Sequence, residues 1–347
     1  MVRRSLVLLR SVALLSWFTI LSYGCSATES PRSVADPVSP AEAWTLPRTA
    51  DGQPDLQGMW TNDTLTPFER PLSLGDREFL TEEEATAIER RASERAERAN
   101  AHRPASTAPP PAGGSVGGYN QFWIGDRGGV VDSKRTSLVV DPPDGRVPLR
   151  PEAAATRAYN LEHRTDSWDH MSVYTRCITR GVPGTMFPAL YNNGHQILQT
   201  RDYVVILHEM VRHARVIPLD GRPHAPSQID LWMGDGRGHW DGDTLVVETR
   251  NFNDRGWIAS NVAAGRIQGI PVSGALEVVE RFTRIAEDTI DYQVTVEDPN
   301  MYTAPWTASI PLTRDPGYEI FEYACHEGNR AVGNILGGGR AQEEERE

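Results

Sequence analysis

The hexapeptide His208-Glu209-Met210-Val211-Arg212-His213 holds the residue types of a zinc-protease motif at the wrong spacing. In H-E-x-x-H, two imidazoles four residues apart share one helical face and grip a metal, with the glutamate as general base. Here the histidines are five apart. An extended chain turns them to opposite faces, and a helix separates them by about 140°, so no metal site is assigned. With Val204, Val205, Ile206, Val211, Val216 and Ile217 around it, the stretch reads as strand.

If residues 202–217 are extended throughout, Tyr203, Val205, Leu207, Glu209, Val211, His213, Arg215 and Ile217 share one face, and His208 looks the other way. A carboxylate, an imidazole and a guanidinium then lie in a row. Glu209 or His213 could take a proton while Arg215 holds a developing anion. The competing reading pairs Glu209 and Arg215 with neighbouring strands as a buried network. A bulge at Met210 or Val211 would also break the alternation.

Further candidates surround this row. Tyr191 and Asn193 sit in the polar turn YNNGH and could contact a polyol, although turn geometry alone accounts for Asn and Gly there. Trp232 and Trp240 could stack on a ligand or pack a core. His326, in CHEGN, could complete a pocket rim if Cys325 bridges Cys177, and that bridge could equally be only a staple. Asp235, Asp241 and Asp243 lack the spacing of a calcium loop and fit Asp-Gly turns. The chain has no P-loop or C-x-x-C, which argues against nucleotide use and dithiol redox chemistry. No cofactor is called for.

The elements that must position these groups begin after a leader. Residues 1–24 carry Arg3, Arg4 and Arg10, an apolar run from Val12 to Leu21 and no acid, the layout of an export signal. LSYG before Cys25 is similar to a lipobox shifted by one position, which would lipidate Cys25 and anchor the chain to a membrane; cleavage after Ala27 is the alternative. Export to the periplasm or the exterior is expected either way, and it suits a Cys177–Cys325 disulfide. The formal net charge of −12 becomes more negative once the leader is removed, so no nucleic-acid partner is expected.

Residues 25–44 read as a flexible tether and 45–118 as an N-terminal extension. In the extension, Thr81 and Glu84 form a capping box opening a surface helix from about Glu82 to Asn100, with a thin apolar stripe at Ala85, Ile88, Ala92 and Ala96. A Pro/Gly loop follows at 103–118. Residues 119–340 are read as a β-domain and 341–347 as an acidic tail. After one strand near Thr136, about eight short strands separated by turn chemistry run on from His195, including DYVVILHEM, HARVIPL and TLVVETRNF. No connection among them is long and helical enough for a crossover, so the chain forms an antiparallel meander. In 276–285 and 290–297 the two faces alternate, with Leu276, Val278, Glu280, Phe282 and Arg284 on one side of the first. Such strands can line a barrel with a partly polar lumen, suited to a small molecule.

Gly58-Met59-Trp60 resembles the G-x-W of lipocalin-type barrels. Thr200-Arg201-Asp202-Tyr203 is similar to their T-D-Y turn, and a second G-x-W, Gly238-His239-Trp240, heads the tighter strand series. The resemblance implies a mainly β, lipocalin-like barrel. Over about residues 45–340, the phrases DGQPDLQGMW, RTSLVVDPPDGR, IPLDGRPH, WDGDTLVVET and YACHEGN resemble a family of exported bacterial proteins of unassigned function. That implies export and one continuous unit, and supplies no reaction. Two functions fit: a cofactor-free proton-transfer enzyme of lyase, isomerase or cyclase type working through Glu209, His213 and Arg215, or a non-catalytic barrel that binds an apolar or aromatic small molecule. A carbohydrate-active role, resting on the aromatics and on export, is a third.

Overall fold

The Asp241-Gly242-Asp243 turn shows how the local code becomes architecture. Gly242 takes φ +60°, a conformation that glycine adopts without steric cost. It reverses the chain between β6 (Asp235–Asp241) and β7 (Thr244–Arg250), whose end residues Asp241 and Thr244 pair. A longer, glycine-free turn over 285–288 joins β8 (Glu277–Arg284) to β9 (Thr289–Glu297). There the expected alternation is seen: Val278, Glu280, Phe282 and Arg284 are buried while Arg281 is exposed.

The computed structural model describes residues 44–101, 128–345 and 347. The leader 1–24, Cys25, nearly all of the tether 25–44 and the Pro/Gly loop 103–118 lie outside the described residues. The remaining strands are β1 (Gly58–Thr61), β2 (Val139–Asp141), β3 (Gly194–Gln199), β4 (Tyr203–His208), β5 (His213–Pro218) and β10 (Trp306–Arg314). They form one antiparallel sheet in the order β5-β4-β3-β1-β10-β9-β8-β7-β6, with β2 also pairing β10. The terminal strands face each other across Gly238 of β6, where an added Cβ would come within 2.9 Å of Ile217 and 2.7 Å of Leu219. Glycine there lets the β5 side chains pack onto β6 and nearly close a nine-strand barrel. The fold is therefore mainly β and consistent with a lipocalin-like barrel.

The barrel does not begin at residue 119. β1, from the segment read as an extension, pairs with both β3 and β10, and its Trp60 is buried with Nε1 donating to the Leu56 carbonyl at 2.9 Å. Residues 44–347 form one contact unit.

Among the described residues three α-helices accompany the sheet, where the sequence suggested one. α1 (Glu82–Asn100) is the expected helix, with both bonds of the Thr81/Glu84 capping box in place and Ala85 as its buried residue. α2 (Pro151–Glu162) opens on proline at its first turn, where the missing N–H costs nothing. α3 (Ala331–Glu344) contains four glycines and takes in most of the segment read as an acidic tail. It holds because Gly339 sits against Thr165, where a Cβ would approach to 2.7 Å. Close packing there outweighs the poor helix propensity of glycine.

The interior is filled. Trp60, Ile206, Ile217, Phe282, Tyr292 and Ile310 belong to one buried cluster, so the inward-facing residues form a packed core rather than a wide lumen.

Candidate functional site

HEMVRH is a hairpin. β4 ends at His208, the backbone turns through Glu209–Arg212, and β5 starts at His213. Val211 and Arg212 take φ +61° and +48°, which a β-branched residue adopts only under strain of about 1–3 kcal/mol. The turn changes the side-chain parity. Val205 and Leu207 lie across from Val216 and Ala214 on the outer face, whereas Ile206 lies across from Arg215 and His208 from His213. His208 and His213 therefore share the inner face, opposite to the single-strand expectation.

The turn takes Glu209 out of the proposed row, while His213 and Arg215 still share the inner face of β5. Arg215 points into the barrel and pairs with Glu280 of β8: Nη1 donates to Oε1 at 2.9 Å, and Nη2 pairs with Oε2. Glu280 is fully buried and also accepts from the Tyr292 hydroxyl at 2.9 Å. Burial alone would lower the Arg215 pKa, but the Glu280 carboxylate outweighs it and holds the guanidinium charged. This is the buried network that competed with the catalytic reading.

Glu209 turns toward β3. Its Oε2 accepts from the Tyr318 hydroxyl at 2.5 Å and from the Gly194 N–H at 3.3 Å. Burial raises its pKa, against the two hydrogen bonds, which favour the ionised form. The fit is close: a Cβ on Gly194 would come within 2.6 Å of the Tyr318 ring and 3.0 Å of Glu209.

Of the three, His213 lines the cleft beside this turn. Among the residues around this 420 Å³ cleft are Cys177, Val211, His213, Tyr323, His326 and Glu327. The Cys177–Cys325 disulfide is present, with Cα atoms 5.5 Å apart, and it joins the C-terminal segment to the loop before β3. Arg212 and Glu322 add an ion pair at 3.1 Å across the same contact. Burial lowers the His213 pKa, and Arg215 adds to the effect, so the imidazole is neutral near pH 7 and able to accept a proton.

The other sequence candidates separate. His326 lines the cleft and is exposed. Asn193 is a turn residue: its amide accepts from the Ala189 N–H at 2.7 Å and donates to the Ala189 carbonyl and to Asp63. The Tyr191 hydroxyl lies 3.3 Å from that of Tyr174. Trp240 packs against the core beside Leu245, and Trp232 is half-buried; neither lines the cleft. Among the described residues no three His, Cys, Asp or Glu side chains are grouped to hold a metal.

Behind the cleft lies a polar cluster that sequence reasoning missed. The hydroxyl of Tyr323, a cleft residue, is 2.9 Å from that of Tyr174, which is pushed up to about 12 mainly by burial. Arg180, 2% exposed, sits in the field of these phenols, and desolvation lowers it to about 10. His195 and His208, directly opposed on β3 and β4, bond through their Nδ1 atoms at 3.0 Å. Burial lowers His195 to about 3 and His208 well below its usual value, with Arg180 adding to both shifts. The available signal was the cysteine pair, because a bridge brings RCITR and YEIFEYACHE together.

Comparison with known protein families, with curated proteins and with solved structures finds no match.

Proposed function

We propose that the protein is an exported β-barrel that binds a small molecule in the cleft between the β4–β5 turn and the disulfide-tethered C-terminal segment. The observation that carries this reading is the cleft itself: 420 Å³ lined by His213, Tyr323, His326 and Glu327. Small-ligand sites combine such a concavity with a few convergent polar groups. The packed barrel interior directs ligand to this end rather than to a lumen. Lipidation at Cys25 would hold the cleft at a membrane surface.

A second reading, cofactor-free proton transfer of the lyase, isomerase or cyclase type, is favoured by His213, a cleft imidazole kept neutral by burial. Glu209 and Arg215 are not needed as its catalysts.

The test incubates the purified protein with a metabolite extract and identifies retained compounds by native mass spectrometry. The comparison is Ala324→Trp, which fills the cleft from an exposed lining position. Loss of the retained compound in that variant is expected; equal retention would remove the cleft as the site. A compound altered by the wild type and left unchanged by His213→Ala would establish the second reading.

A further inference from the structure

The polar cluster behind the cleft contains more hydrogen-bond donors than the fold satisfies. Arg180 spends Nη2 on the Phe187 carbonyl at 2.9 Å, while its Nε is buried without a partner. Arg215 meets a carboxylate in the core; the groups acting electrostatically on Arg180 are the hydroxyls of Tyr174, Tyr323 and Tyr191.

The histidine pair adds a second unmet donor by proton counting. Two neutral imidazoles joined Nδ1 to Nδ1 must place one proton between them. The accepting ring therefore carries its own proton on Nε2, where it is a donor. Both Nε2 atoms are buried without a partner, on residues 2% and 1% exposed. An N–H of Arg180 and an N–H of His195 or His208 are thus both desolvated, and Arg180 is close enough to act electrostatically on both rings. Leaving a buried donor unpaired is costly, and more so for a charged group. A partner that repays both is an oxyanion.

We propose that Arg180, with the His195–His208 pair beside it, recognises a carboxylate or phosphate group of the ligand, which enters through the cleft past Tyr323. This rests on the cleft being a ligand site and names the chemical class it selects. Tyr323 marks the route, because it lines the cleft and its hydroxyl meets that of Tyr174 within the cluster. The anion supplies the acceptor that Arg180 lacks, and the guanidinium fork suits its two oxygens.

The experiment titrates the full protein with benzoate, acetate and inorganic phosphate, and with benzamide as the neutral isostere of benzoate, following heat release and thermal midpoint. At least one anion binds and raises the midpoint, and benzamide binds about 30-fold more weakly or not at all. Which anion binds distinguishes a carboxylate site from a phosphate site. Arg180→Met loses the anion by a similar factor, and its unliganded midpoint equals or exceeds that of wild type, because a buried charge without a counter-charge has been removed. If Arg180→Met does not fold, Arg180→Lys and the benzoate-to-benzamide ratio on the wild type decide the question.

Equal binding of benzoate and benzamide, or anion binding unchanged in Arg180→Met, overturns the inference. If that binding is still lost in Ala324→Trp, the cleft stands as the ligand site and only the anion reading fails. No binding of any probe to the wild type also overturns the anion reading, while the metabolite-extract comparison judges the cleft separately.

Discussion

Replacing Arg215 with methionine would leave Glu280 fully buried with the Tyr292 hydroxyl as its remaining side-chain partner. Breaking one side of a buried pair costs about 3–5 kcal/mol, because the other charge stays desolvated and uncompensated. A body of this size loses roughly 2–3 °C of thermal midpoint per kcal/mol, so Arg215→Met is expected to melt about 6–15 °C below wild type. Glu280→Leu should do the same, since it strands the guanidinium. The double variant Arg215→Met/Glu280→Leu removes both charges and should recover most of the loss, to within about 1–2 kcal/mol of wild type. Urea titration followed by tryptophan fluorescence measures all four corners of the cycle, with an unchanged m-value showing that the denatured state is unaffected. If Arg215→Met cost less than about 1 kcal/mol yet abolished ligand retention, the structural assignment would be wrong and Arg215 would return as a functional residue.

The histidine pair sets an acid limit on stability. His195 and His208 are held neutral in the fold, His195 down to about 3, whereas the unfolded chain protonates them near 6.5. The unfolded state thus binds more protons as pH falls from about 6.5 toward 3, and stability drops over that window by about 1.4 kcal/mol per pH unit for each histidine. His195→Gln/His208→Gln should flatten this slope in denaturation curves taken between pH 7 and 5; an unchanged slope would show that other groups carry it. Val211→Gly relieves the positive φ at the cleft turn and should stabilise the fold by about 1 kcal/mol after the entropy cost of glycine, read as a raised midpoint of thermal unfolding. A destabilised variant would mean that Val211 packing outweighs its strain. Cys177→Ser/Cys325→Ser opens a closure of 148 residues and should cost about 2–5 kcal/mol. It should also weaken ligand retention, because the Tyr323 and His326 side of the cleft loses its tether; retention at wild-type strength would separate the bridge from the site.

Some of this was written in local chemistry. The capping box at Thr81 and Glu84 needs four consecutive residues, and it appears as read. The period-two faces of β8 and β9 were visible because each inward residue is set by its own neighbours. The bridging cysteines could be named, since beyond the tether 25–44 only Cys177 and Cys325 remain. Other features left no such mark. Positive φ at Val211 and Arg212 is not announced by glycine or asparagine, so the β4–β5 turn read as uninterrupted strand and Glu209 was drawn onto the face that His213 and Arg215 share. The four glycines of α3 argue against a helix until Thr165 is seen packed against Gly339.

The sequence by itself determined the class of fold and where its chain reversals fall at Asp-Gly turns, because hydrophobic alternation and turn propensity act over a few residues. Tertiary structure decided which polar groups meet. Glu280 reaches Arg215 from 65 residues away, and His195 meets His208 only through the β3–β4 register. Arg180 lies by the cleft because the disulfide draws residue 325 to residue 177. Such encounters depend on strand register, barrel closure and the parity of a single turn, which no local pattern encodes.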